Sequence, residues 1–221
     1  MTPTVPSGPG VALVIVDVQN DFINGTLTVP GGQDIIPSVK HLVNEFPCSC
    51  IVATKDFHPP NHASFASTHG LAPFQLHTIP HPYDPRASLS QMLWPDHCVQ
   101  GTRGAEIHDD IQAALDMREK AGTPVSYVLK GTDARVDSYS AFACADYLQF
   151  TNMASILHRA HIHTVVVCGL ATDYCVRATA VDAAKFGFRT YVLQDCIRGV
   201  DPSTTAEAEQ VMSWYQVSLC T

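Results

Sequence analysis

Cys175 stands in the stretch VVVCGLATDYCV, residues 165–176, where an apolar β-branched run passes a glycine and enters a polar turn, seven residues after Cys168. Three chemistries suit a cysteine there: half of a disulfide, a metal ligand, or a nucleophile. It lies near the start of a predicted helix, where free backbone N–H groups and the helix dipole favour an anion, so its thiolate is expected to form more easily than that of a free cysteine. Asp17 and Lys130, each at the end of an apolar run, supply the other parts of a nucleophilic centre: a base for the thiol proton and a cation beside the sulfur. A second constellation is Asp56-x-His58 in KDFHPPNH, joined from a distance by His97 in WPDHCVQGT. A carboxylate with two imidazoles suits a borderline divalent cation such as Zn²⁺, and three protein ligands leave coordination positions open, as in a catalytic centre. His62 is a further candidate ligand, whereas His69, His77 and His81 read as histidines of a proline-rich surface loop. Cys144, Cys168 and Cys196 read as small buried apolar groups, and Cys48 and Cys50 alternate along a strand, facing opposite sides and unsuited to one ion.

These residues need a frame that brings them together. Short apolar runs at 11–18, 48–56, 124–131, 163–170 and 189–195 predict buried strands. Between them, 32–46, 105–122, 151–160 and 171–187 carry helical periodicity, the last with Thr172 or Asp173 as N-cap and Gly187 as its stop. A helix at 203–214 and a short strand at 216–220 close the chain. Alternating strands and helices predict an α/β fold in one domain, a mostly parallel twisted sheet with helices on both faces. Ligands of such sheets bind beyond the carboxyl ends of the strands. Asp17, Asp56, Lys130 and the turn carrying Cys175 all fall there, and this convergence gives each weak signal its weight. Residues 57–104 break the pattern: six of the eleven histidines lie in them, with many prolines and little periodicity. A long irregular segment inside a compact domain reads as part of a site.

Composition limits the partners. The 221 residues, 46% of them hydrophobic, can bury one large core. A formal net charge of −8 without a basic run argues against nucleic acid or an anionic membrane and leaves a small molecule as partner. The N-terminal MTPTVPSGPG lacks the features of a signal peptide, and no apolar run reaches the length of a membrane span. A cytoplasmic protein is expected, with its eight cysteines reduced rather than paired, which counts against the disulfide reading of Cys175.

Taken in order along the chain, these motifs resemble the nicotinamidase (pyrazinamidase/nicotinamidase) group of the isochorismatase-like cysteine hydrolases, over about residues 11–200. The resemblance implies a Rossmann-like isochorismatase hydrolase fold spanning 1–221, with a metal-binding insertion at about 56–104. VIVDVQNDF implies Asp17 as proton acceptor and Phe22 as a wall of the substrate pocket; DFHPPNHASFA and WPDHCVQGT imply Asp56, His58 and His97 as metal ligands. KGTDARVDSYSAF implies Lys130 as the catalytic lysine and Tyr139 beside the ring; GLATDYCV implies Cys175 as nucleophile, Tyr174 beside the pocket, and the N–H groups of Ala171 and Cys175 as the oxyanion hole, with a cis peptide between Leu170 and Ala171. Trp94 joins the aromatic walls. Phe57 stands where many relatives carry tryptophan between the ligands. The implied activity is hydrolysis of nicotinamide to nicotinic acid and ammonia through a thioester, in NAD salvage, with pyrazinamide as a second substrate. One divalent ion, Zn²⁺ or else Fe²⁺ or Mn²⁺, would bind the pyridine nitrogen. Other amidohydrolases of the superfamily, acting on carbamoyl or ureido compounds, share the Asp, Lys and Cys but lack these metal ligands; isochorismatases proper lack the cysteine. A non-catalytic metal-binding or redox-sensing protein on the same fold would leave Asp17 and Lys130 without a task. The metal's identity and the oligomeric state, a homo-oligomer included, stay open.

Overall fold

The structure, a computed structural model, describes residues 4–221, so the first three residues of the N-terminal stretch lie outside it. Its main sheet has six parallel strands: β1 (Gly8–Val16), β2 (Cys48–Asp56), β5 (Val125–Lys130), β6 (Thr164–Leu170), β7 (Arg189–Arg198) and β8 (Ser218–Cys220), in the order β5-β2-β1-β6-β7-β8. The expected strands are all present. Each central strand is apolar on both sides because both faces are covered. Val11, Leu13 and Ile15 of β1 pack into a core with α2 (Ile36–Glu45) and α4 (Asp109–Lys120). Ala12, Val14 and Val16 pack into the opposite core with α5 (Met153–Arg159), α6 (Arg177–Lys185) and α7 (Pro202–Trp214). Two short helices, α1 (Asn20–Asn24) and α3 (Ala66–His69), complete the set. Among the described residues no helix is long and apolar enough to cross a membrane.

The chain runs from β1 outward to β2 and β5, then returns to the other side of β1 with β6. This reversal is where an open parallel sheet leaves a crevice beyond its carboxyl ends. Gly169 holds β6 close against β1 there: it has φ +117°, and a Cβ on it would lie 2.0 Å from the Val16 carbonyl oxygen.

Three expectations need correction. The segment 57–104 is not devoid of regular structure, since it folds α3 and an antiparallel pair, β3 (Leu76–Pro80) and β4 (Ser88–Met92), over a small core of Ala63, Ile79, Leu89 and Val136. The predicted helix at 105–122 begins only at Asp109, because Ile107 is drawn into a bridge with Gln19. The predicted helix at 171–187 divides into a π-type turn, Thr172–Val176, and α6; neither Thr172 nor Asp173 caps it, and Asp173 turns instead toward α7.

Candidate active site

Asp17 follows β1 immediately, in a left-handed conformation (φ +48°) that an aspartate tolerates better than most residues. The turn points its fully buried carboxylate across the strand ends. Thr54 of β2 donates its hydroxyl to Asp17 Oδ1 at 2.6 Å, and Lys130 Nζ lies 2.8 Å from Oδ2. Lys130 ends β5 and Asp56 ends β2, as paired neighbours in the sheet, so ammonium and carboxylate meet as an ion pair. The same Nζ donates to the Ser138 carbonyl at 3.1 Å and to Cys175 Sγ at 3.3 Å. Carboxylate oxygens of Asp17 and Asp56 and the Cys175 sulfur all lie within 4.8 Å of one another. The structure thus brings together the three groups that the sequence placed on separate segments.

Their protonation follows from burial and charge. Burial lowers the pKa of Lys130, but Asp17 and then Asp56 outweigh it, so the lysine stays an ammonium. Burial raises Asp17, against the pull of Lys130. Burial also pushes the Cys175 thiol well above its ordinary value, with Lys130 opposing and Asp17 and Asp56 adding to the rise. This corrects the expectation of an easily formed thiolate. The short π-type turn buries the sulfur, and the lost hydration first, then the two carboxylates beside it, hold the proton on despite Lys130.

Beside this trio, Asp56 Oδ2 faces two imidazoles, with His58 Nε2 at 3.7 Å and His97 Nε2 at 3.9 Å. Both rings donate Nδ1–H to a backbone carbonyl, His58 to Gly131 at 2.9 Å and His97 to Pro95 at 2.8 Å. Their protons are therefore on Nδ1, and the Nε2 lone pairs converge with a carboxylate oxygen. Three lone pairs buried around one point repel unless a cation sits among them, and this donor set and tautomer suit Zn²⁺. Burial above all lowers the His97 pKa to about 4, which leaves that ring neutral at neutral pH. His62 differs. Its Nδ1 accepts from the Ser64 N–H at 3.3 Å, which puts the proton on Nε2, and it groups with His58 and Asp137 rather than with Asp56 and His97. His69, His77 and His81 belong to neither group.

Asp56, His97 and Cys175 open onto a cavity of about 30 Å³ that is also lined by Phe22, Trp94, Tyr139 and Tyr174, the aromatic walls expected, and by Ala171. Trp94 Nε1 donates to the Tyr139 hydroxyl at 3.1 Å, and the Trp94 and Tyr174 rings meet edge to face at 4.8 Å. Leu27, Val29 and Val200 complete the lining; no motif marks them, because an isolated apolar residue in a loop looks like any other. A larger cavity of about 420 Å³ runs along edge strand β5 but does not reach Cys175 or His97, so the smaller one is the candidate. The Leu170–Ala171 peptide is cis, as the resemblance implied. The Ala171 carbonyl takes the N–H groups of Tyr174 and Val176, both at 3.1 Å.

Sequence reasoning missed several residues that hold the site. Gln19 accepts the Asp56 N–H and donates to the Asp56 carbonyl, each at 2.8 Å, tying the end of β1 to that of β2. Its place in VDVQNDF, two residues after a strand-end acid, is the one available signal. Gly131, next to Lys130, lets His58 in: it has φ +62°, and a Cβ there would lie 2.3 Å from His58 Cε1.

The chain belongs to the isochorismatase domain family, whose model matches residues 11–221. Within that family its relatives include a protein named nicotinamidase from Acinetobacter baylyi, 45% identical over 192 residues that cover 86% of this chain and 82% of the relative. The yeast nicotinamidase bound to the inhibitor nicotinaldehyde shares the fold at a TM-score of 0.88 and 32% identity, covering 95% of this chain and 99% of that one. The pyrazinamidase of Pyrococcus horikoshii in complex with zinc does so at a TM-score of 0.72 and 33% identity, over 96% of this chain and 99% of that one.

Proposed function

We propose that the chain is a nicotinamidase, an amidohydrolase that converts nicotinamide to nicotinic acid and ammonia and serves NAD salvage. The observation that carries this reading is the contact of Lys130 with both Asp17 and Cys175 beside an aromatic cavity that Asp56 and His97 also line. Names borne by the relatives support it.

In the reaction, Asp17 takes the thiol proton as Cys175 Sγ attacks the carboxamide carbon. The N–H groups of Ala171 and Cys175 hold the developing oxyanion. Asp17 then passes the proton to the nitrogen as the C–N bond breaks, and ammonia leaves a thioester. Water attacks that thioester with Asp17 as base; the C–S bond breaks, the thiol recovers its proton, and the acid departs. Lys130 keeps the carboxylate and sulfur in register throughout. Asp56, His58 and His97 would hold one divalent ion, Zn²⁺ by its donor set, which would bind the ring nitrogen and orient the amide toward Cys175. Phe22, Trp94, Tyr139 and Tyr174 flank the ring. Segment 56–104 is then a metal-binding insertion in a single domain, and eight unpaired cysteines suit a reducing, cytoplasmic setting.

Ammonia release from nicotinamide, with carbamoyl and ureido compounds as controls, tests the reading. Turnover of the controls alone would move the chain to another amidohydrolase of the family.

A further inference from the structure

We propose that Asp173 is a positioning residue that joins the nucleophile turn and the apolar wall at Val200 into one unit, so that the placement of the thiol and the fit of the ring are set together. This rests on the reading that Cys175 is the nucleophile.

Asp173 lies two residues before Cys175, is 2% exposed, and has no salt bridge among the described residues. A buried carboxylate without a cation survives only if hydrogen-bond donors surround it. Here they all come from the loop between β7 and α7 and from the first turn of α7. The Val200 N–H reaches both oxygens, at 3.0 and 3.1 Å, while the Asp201 N–H and the Thr204 hydroxyl reach Oδ2 at 3.1 and 2.6 Å. The helix that follows does not need this help. Asp201 already caps α7 by accepting the N–H groups of Ser203 at 2.8 Å and Thr204 at 3.4 Å. What the Asp173 bonds do achieve is to fix Val200, a wall of the cavity, to the turn that carries Cys175 and Tyr174. A carboxylate suits this task because it accepts on both oxygens. An asparagine of the same shape would turn its NH₂ toward at least one of the donors.

The test compares Asp173→Asn with Asp201→Ala, which removes the α7 cap but leaves the carboxylate of Asp173 and every donor to it. Displacing a reacting group by about 1 Å costs about 100-fold in rate. Asp173→Asn is therefore expected to lower kcat for nicotinamide about 10- to 100-fold and to raise KM several-fold, with bound metal unchanged by elemental analysis. Iodoacetamide should label Cys175 more slowly than in the wild type, by at least about fivefold, read by peptide mass spectrometry. Asp201→Ala should lower the melting temperature while kcat, KM and labelling stay within twofold of wild type. Thr204→Val keeps the carboxylate and removes one donor, so it should repeat the Asp173→Asn shifts at about threefold, and it decides the matter if Asp173→Asn fails to fold. Unchanged kcat, KM and labelling in Asp173→Asn, or in Thr204→Val in that event, would reduce Asp173 to a structural residue, and faster labelling would overturn the proposal equally. Wild-type turnover of nicotinamide judges the substrate reading by itself, and labelling of Cys175 judges the clamp without any substrate.

Discussion

In the proposed reaction, a buried sulfur between an ammonium and two carboxylates would gain its reactivity by handing over a proton rather than by standing ready as an anion. The thiol of Cys175 is raised by burial, and the group placed to receive its proton is Asp17, itself raised by burial. Removing either partner should stop the chemistry while sparing the fold. Cys175→Ala is expected to abolish ammonia release with a cooperative melt retained. Asp17→Asn should lower kcat by about 10²- to 10⁴-fold, the usual contribution of a positioned acid–base group, with bound metal unchanged. The contrast is Cys168, buried in β6, where its sulfur only fills the core. Cys168→Ala should keep kcat and lower the unfolding free energy from denaturant melts by about 1–2 kcal/mol of lost packing. Full turnover in Cys175→Ala, measured as ammonia, would sink the mechanism.

Segments, rather than single residues, decide whether a metal can bind. His58 follows β2, His97 follows the β3–β4 pair, and both rings are aimed by backbone carbonyls. His97→Ala is therefore expected to lose bound metal and activity together, and His81→Ala neither; elemental analysis of the two proteins decides it. Gly131→Ala should push His58 off its carbonyl and weaken metal binding about 10- to 100-fold in a chelator competition, since partners that orient a ligand matter nearly as much as the ligand. The strands and the groups at their ends could be read from the chain, because a run of β-branched residues stopping at Asp17, Asp56 or Lys130 states both the element and its edge. The β3–β4 pair could not. Its inward positions are Leu89 and Gln91, and Gln91 donates to the buried Asp137 at 3.0 Å, so a polar residue interrupts the apolar alternation that marks a strand. Nor could the π-type turn, whose TDYCV continues the helical pattern of α6. The raised thiol was hidden for a third reason, as its causes, burial first and then two nearby carboxylates, exist only in the folded sheet.

Across the whole molecule, Asp56, His97 and Cys175 line one aromatic cavity, and on the proposed reading a ring held by the metal at one place and attacked by the thiol at another would select the substrate. Nicotinamide and pyrazinamide present a ring nitrogen meta to the carboxamide carbon; benzamide has the same ring and amide without it. Benzamide is expected to be poorer by at least about 100-fold in kcat/KM, roughly 2.7 kcal/mol of transition-state stabilisation. Comparable rates for the two would show that the ring is not held through its nitrogen. Stripping the metal should also loosen the fold. At free Zn²⁺ about 100 times its dissociation constant, binding contributes about 2.7 kcal/mol. For a chain of this size that is a melting shift of about 5–10 °C, read by scanning calorimetry with and without chelator. The order β5-β2-β1-β6 has a further consequence, in time rather than in space. The three reactive groups come from strands scattered between residues 8 and 170 and the turn beyond them, and pairings of such long sequence separation form slowly. Any continuous stretch that holds the trio runs from the end of β1 through β2, β5 and β6. In refolding from denaturant, helical signal should therefore return before any hydrolysis does, and the recovery of ammonia release should report the moment at which β6 docks beside β1.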